Sequence, residues 1–288
     1  MRFKPKVKYL EMTDAERIRV SYSLSKAGRF DQALTELEVV LDSDPKSIYA
    51  HLAIGNIFLL KKRYGEAFEH FKILTQLSPL MSEGYLNLGR VCLKLGCLEE
   101  ALGYFDIIIN LDPKFPQAYL GRGQVLIRQI KYDEAISHFY KGLDLNPEMY
   151  LPYLFLGEVY RKQQQFSLAI AAFKTVLDTQ PRFMVAYMRL GRVYLDIGEP
   201  LKAKNSFEYA LNLNPFSIYA YLGLADALIQ LNQLEASYDI IEKLSQFNKN
   251  DFNSTQSSVS GEPFDETSNL EQIWYTEALN KQKYIEYF

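Results

Sequence analysis

Along this chain, apolar and small residues recur at helical spacing in sets one helix long, and polar turns separate the sets. Between Ser82 and Pro113 the first set is Tyr85, Leu88, Gly89 and Cys92, and the second is Ala101, Phe105 and Ile108. Residues three or four apart share one face of a helix. The spacing therefore predicts two amphipathic helices, a turn around Gly96 and a stop at Pro113. Two such helices alone would leave their apolar stripes in water, and the chain answers by repeating the unit. Prolines stand at 45, 79, 113, 147, 181 and 215, and alanines at 33, 67, 101, 135, 169 and 203, always 34 residues apart. Glycines 55, 89, 123, 157 and 191 and tyrosines 85, 119, 153, 187 and 221 keep the same interval.

Each recurrent place has a physical task. A glycine inside a helix costs about 0.5–1 kcal/mol against alanine, so close approach of a neighbouring helix must offset it. A larger side chain there would overpack by roughly 1–3 kcal/mol. The alanines serve the second helix in the same way. The prolines follow helix ends, where a residue without an N–H stops the run at little cost. Thr13 with Glu16 forms a capping box that starts the first helix.

The pattern resembles the tetratricopeptide repeat, which spaces an aromatic, Leu-Gly, an aromatic, Ala, Phe and Pro over one repeat. Here the signature falls on Tyr153, Leu156, Gly157, Tyr160, Ala169, Phe173 and Pro181, and again on Tyr187, Leu190, Gly191, Tyr194, Ala203, Phe207 and Pro215. Tyr stands where the family more often has Trp. The resemblance implies an all-α fold, a right-handed superhelical solenoid of seven helix-turn-helix repeats over 14–47, 48–81, 82–115, 116–149, 150–183, 184–217 and 218–248. The end repeats depart from the signature: Arg17 and Ser21 replace Tyr and Gly in the first, and Ala225 and Ser237 replace Gly and Ala in the seventh. End repeats meet solvent on one side, so such departures are expected there. Residues 1–13 form a basic lead-in, and 249–269, rich in Ser, Asn and Thr, read as a flexible linker. A final helix is expected over 270–288, with Leu270, Ile273 and Trp274 as its apolar patch.

Composition narrows the function classes. Hydrophobic content of 48% permits a full core, and a net charge of −3 does not favour a nucleic-acid binder. From Asp251 onward seven acidic residues face only Lys281 and Lys283, so the C-terminal stretch is acidic and the repeats slightly basic. Cys92 and Cys97 form no C-x-x-C pair, and no signal-peptide or membrane-spanning apolar run is visible. A soluble, cytoplasmic protein is the expectation. His51, His70 and His138 read as packing or surface residues in different repeats or on outward faces. Without phosphate-binding glycine loops, paired catalytic acids or metal-ligand spacings, no enzyme activity, metal or cofactor is expected.

The variable positions carry the functional signal. One place after each glycine-equivalent the chain reads Tyr22, Asn56, Arg90, Gln124, Glu158, Arg192 and Asp226; four places further on it reads Lys26, Leu60, Lys94, Arg128, Lys162, Asp196 and Gln230. The family resemblance implies that this stripe lines a concave groove for a protein segment. Candidate contacts are Asn56, Asn87, Arg90, Lys94, Gln124, Arg128, Glu158, Arg161, Lys162, Arg189 and Arg192, with Leu52, Leu86, Leu120, Leu154 and Met188 as an apolar floor. Such a surface suits an extended or helical partner segment bearing acidic and apolar residues. Chaperone-tail-binding relatives use cationic places that here hold Leu52, Gln117 and Gly121, which disfavours that subtype. Two alternatives stand beside the scaffold reading: nucleic-acid binding by the basic stripe, and self-assembly. The C-terminal segment, through Ile273 and Trp274, is also a candidate to occupy the groove within the same molecule.

Overall fold

The periodicity becomes a regular alternation of helices. The computed structural model describes residues 12–245; the expected linker, the final helix with Ile273 and Trp274, and all but the end of the basic lead-in lie outside them. Among the described residues every regular element is an α-helix: α1 (Asp14–Lys26), α2 (Phe30–Ser43), α3 (Ile48–Leu60), α4 (Tyr64–Leu77), α5 (Ser82–Leu95), α6 (Leu98–Leu111), α7 (Pro116–Arg128), α8 (Tyr132–Leu145), α9 (Tyr150–Lys162), α10 (Phe166–Thr179), α11 (Met184–Asp196), α12 (Pro200–Leu213), α13 (Ile218–Gln230) and α14 (Leu234–Ser245). Two compact units divide between Pro113 and Lys114.

In unit 1, α1 pairs with α2, α3 with α4 and α5 with α6, while α2 packs on α3 and α4 on α5. Unit 2 repeats the scheme with α7–α8, α9–α10, α11–α12 and α13–α14, the second helix of each pair packing on the first of the next. Within unit 2 the first helices also touch side by side, α7 on α9, α9 on α11 and α11 on α13, which sets their outward faces in one row.

The glycine places work by contact. Phe71, Phe105, Phe139, Phe173 and Phe207 are fully buried, and each ring lies against the glycine of its own helix pair. A Cβ on Gly157 would stand 2.6 Å from the Phe173 ring, and one on Gly123 would stand 2.4 Å from Phe139. The turn between paired helices repeats as well: Gly28, Lys62, Gly96, Ile130, Gln164, Gly198 and Asn232 all have positive φ. This left-handed place suits glycine, and Ile130 fills it at φ 62° with 72% of its surface exposed.

The ends use their substituted residues to cap and tie. Thr13 caps α1, its Oγ1 accepting from Glu16 N at 3.3 Å while Glu16 Oε2 accepts from Thr13 N at 2.8 Å. Arg17, in the tyrosine place, pairs with Glu36 on α2 at 2.5 Å. In the last pair the buried Ser237 hydroxyl donates to the Ala225 carbonyl at 3.2 Å.

Candidate interaction surface

Four of the candidate residues lie in unit 1. Asn56 is exposed on α3, one turn before Leu60, itself 38% exposed. Asn87 on α5 is buried, and its Oδ1 accepts from Arg90 Nη1 at 3.1 Å. Arg90 is thus half-buried and engaged with its own helix rather than extended from it. Lys94, also half-buried, occupies the last turn of α5, where a cation meets the negative end of the helix dipole.

The other seven lie in unit 2, and several are joined by ion pairs. On α9, Arg161 Nη2 reaches Glu158 Oε1 at 2.9 Å, and Arg161 Nη1 reaches Asp196 Oδ2 on α11 at 2.8 Å. Arg189 on α11 approaches Glu158 Oε2 at 3.8 Å. Arg192 lies 3.5 Å from Asp196 on its own helix and 3.8 Å from Asp226 on α13. Three arginines therefore meet three carboxylates across three first helices. The stripe in unit 2 is thus a set of paired charges rather than a row of separate cations. Asp196 and Asp226, which stand in the periodic rows but outside the candidate set, belong to the ladder. Arg128 and Lys162 are the exposed cations of the set, and among the described residues neither enters an ion pair. Gln124 is buried on α7.

Glu158 and Arg189 are each more than 90% buried, and the Glu158 carboxylate is met by Arg161 as well as by Arg189. Burial works to raise the Glu158 carboxyl, but the fields of Arg189 and Arg161 and the hydrogen bond from Arg161 hold it below its ordinary value of 4.5. Arg161 is held charged in turn: burial opposes its cation, and Glu158 and Asp196 outweigh that cost. Such pairs are strongly coupled, and removal of one member leaves a buried charge.

The expected apolar floor is packed rather than open. Leu86, Leu120, Leu154 and Met188 are 3–8% exposed, while Leu52, the fifth member of that floor, is half-buried. A ligand on this side therefore meets polar and charged atoms before it meets leucine. His51 and His70 do not stand apart as the spacing suggests: they share one helix pair, and their Nδ1 atoms lie 3.0 Å apart. Cys92 is 1% exposed, and burial together with nearby Glu100 pushes its thiol up to about 12, far from a reactive thiolate. Among the described residues no three His, Cys, Asp or Glu side chains gather as metal ligands, and no helix is long and apolar enough to cross a membrane.

Comparison with known proteins bears on the fold. A chain of the APC/C hetero-tetramer Cut9–Hcn1 superposes with a TM-score of 0.67 at 22% identity, over 75% of this chain and 43% of that one; this chain thus spans under half of that neighbour's length. A tetratricopeptide repeat protein from Parabacteroides merdae ATCC 43184 gives 0.63 at 18% identity, covering 82% of this chain and 94% of its own. PilW, a widely conserved type IV pilus biogenesis factor, gives 0.64 at 20% identity, covering 73% and 97%. At such identities the likeness is one of fold, an all-α helical repeat solenoid. No curated protein sequence matches the chain. The sequence profile of the tetratricopeptide repeat matches residues 21–82, 86–150, 154–203 and 188–246, and with the paired helices and their glycine–phenylalanine contacts this shows that the chain belongs to the tetratricopeptide repeat family.

Proposed function

We propose that this chain is a non-catalytic interaction scaffold whose first-helix faces hold an extended or helical segment of a protein partner. The observation that carries this reading is the row of side-by-side first helices in unit 2, α7, α9, α11 and α13. Such a row presents one long polar face of the kind that repeat arrays offer to extended ligands. The ion-pair ladder fixes the arginines of that face in place. Exposed Arg128 and Lys162 then supply the steering charge. A partner segment with acidic residues spaced by apolar ones suits this division.

The ladder argues against nucleic acid as the ligand. Phosphate binding draws on several cations whose counterions can be released, and Arg161, Arg189 and Arg192 are already neutralised by Glu158, Asp196 and Asp226. Selection of a displayed random peptide library on the full chain tests the reading. Enriched sequences should carry Asp or Glu beside apolar residues, and Arg128→Glu with Lys162→Glu should weaken the best peptide about tenfold, or ~1.4 kcal/mol, by fluorescence anisotropy. Enrichment of basic peptides, or an unchanged affinity in the double variant, would overturn it.

A further inference from the structure

One member of the tyrosine column is an imidazole rather than a phenol. One repeat before Tyr85 the chain places His51, and the histidine keeps the tyrosine's bond. Tyr187 donates its hydroxyl to the carbonyl of Pro181 at 3.1 Å, and His51 Nε2 lies 3.1 Å from the carbonyl of Pro45, the matching proline. A carbonyl only accepts, so His51 carries its proton on Nε2 and offers Nδ1 as an acceptor. His70 Nδ1, 3.0 Å away, is then the donor, and the lone pair of His70 remains on Nε2.

We infer that His51 and His70 form an acid-sensing latch between α3 and α4 that accepts one proton with its bond intact and breaks on the second. The first proton goes to His70 Nε2. It turns the bond into a cation donating to a neutral acceptor, which is the stronger arrangement. The second proton has only His51 Nδ1 to go to. Two N–H groups, each on a cation, would then face each other at 3.0 Å, and His51 is 5% exposed, too buried for water to separate them. The charges that reach His70 are those of His51 on α3 and of Glu66 and Glu69 on α4. Glu66 is itself paired with Arg63, and from α3 the neutral ring of Phe58 lies 5.7 Å from the His70 ring. Burial, and a charge on His51 once it is protonated, hold His70 below its ordinary value, so the doubly charged pair is disfavoured, while the two glutamates oppose them. Tyrosine fills the column in the five pairs that follow, so this acid response belongs to the α3–α4 pair.

Histidine-selective 15N labelling of the full chain, followed from neutral to acid pH by long-range proton–nitrogen correlation, tests the latch. At neutral pH, His51 Nδ1 should read as an acceptor nitrogen and His70 Nδ1 as a protonated one. On acidification one imidazole of the pair should charge while the amide signals of α3 and α4 stay in place, and the second should charge together with loss of those signals. Two imidazoles charging independently while those amides hold would overturn the inference. His51→Tyr restores the column, and His70→Gln supplies an amide that can turn its oxygen toward a charged His51. Each should move the acid midpoint of the α3–α4 amides down by about one pH unit, and an unchanged midpoint in both variants would likewise overturn the latch.

Discussion

The Phe173 ring occupies the space that a side chain on Gly157 would need, 2.6 Å from where the Cβ would stand. The helix gives up propensity at that glycine so that the ring can seat between paired helices. Gly157→Ala should recover the ~0.5–1 kcal/mol of helix propensity and lose more to overpacking, for a net destabilisation of about 1 kcal/mol. Gly103 on α6 is exposed, and a Cβ there meets nothing within 4 Å. Gly103→Ala should therefore stabilise by roughly 0.5–1 kcal/mol. Urea unfolding of the two variants, with unchanged slopes, checks the opposite signs.

Ile130 sits in the left-handed turn place with a β-branched side chain and no cover from solvent. That backbone costs an L-residue roughly 1–2 kcal/mol, and at an exposed site little packing returns it. Ile130→Gly should raise stability by about 1 kcal/mol, seen as a higher melting temperature in calorimetry. The same change at Gln164, also at positive φ, should give a gain of similar sign.

The helix registers were legible because each rests on local spacing: Gly, Ala and Pro at one interval, a capping box at Thr13, a turn at Gly96. The ladder was harder to see, because its bonds join residues in different repeats. Arg161 meets Asp196 only after α11 has packed beside α9. A trace of it was present in the row Glu158, Arg192, Asp226, where charge alternates in sign at successive repeats. His51 could likewise have been placed by counting one repeat back from Tyr85. Arg90 illustrates what spacing cannot settle. Its position suggests an outward cation, yet its guanidinium bonds buried Asn87, so Arg90→Glu should lower stability as well as change surface charge.

Acid should destabilise the fold in two windows. His138 is pushed down to about 4 by burial first and then by Arg122 and Lys141. Its depressed value means that the unfolded chain takes up a proton that the folded chain refuses. Stability is therefore unaffected above the ordinary value of 6.5 and falls as pH drops from there to about 4. Glu158, held below 4.5, contributes stability that is present above that value and lost as pH falls further. His138→Phe should reduce the loss in the first window, leaving the part that His70, also held below 6.5, contributes, and should leave the second, in unfolding free energies measured across the pH range.

Arg161 and the Arg128–Lys162 couple separate structural from surface charge on the same side of unit 2. The Arg161 side chain is 12% exposed and bonds both Glu158 and Asp196, the first of which is 8% exposed. Arg161→Ala would leave Glu158 with Arg189 alone at 3.8 Å, and losing one partner of a buried pair costs about 3–5 kcal/mol. Arg128→Glu with Lys162→Glu reverses exposed cations that enter no ion pair among the described residues. The Lys162 charge reaches Glu158 only as the weakest of the influences on that carboxyl, so the change should stay at about 0.5 kcal/mol. Calorimetry of both variants should therefore show a large drop for the first and little change for the second. Added salt should leave the Arg161 effect nearly intact, because partly buried pairs are poorly screened. If the Arg161 effect instead vanishes at high salt, the ladder is a solvated surface network and the arginines are available to a ligand after all.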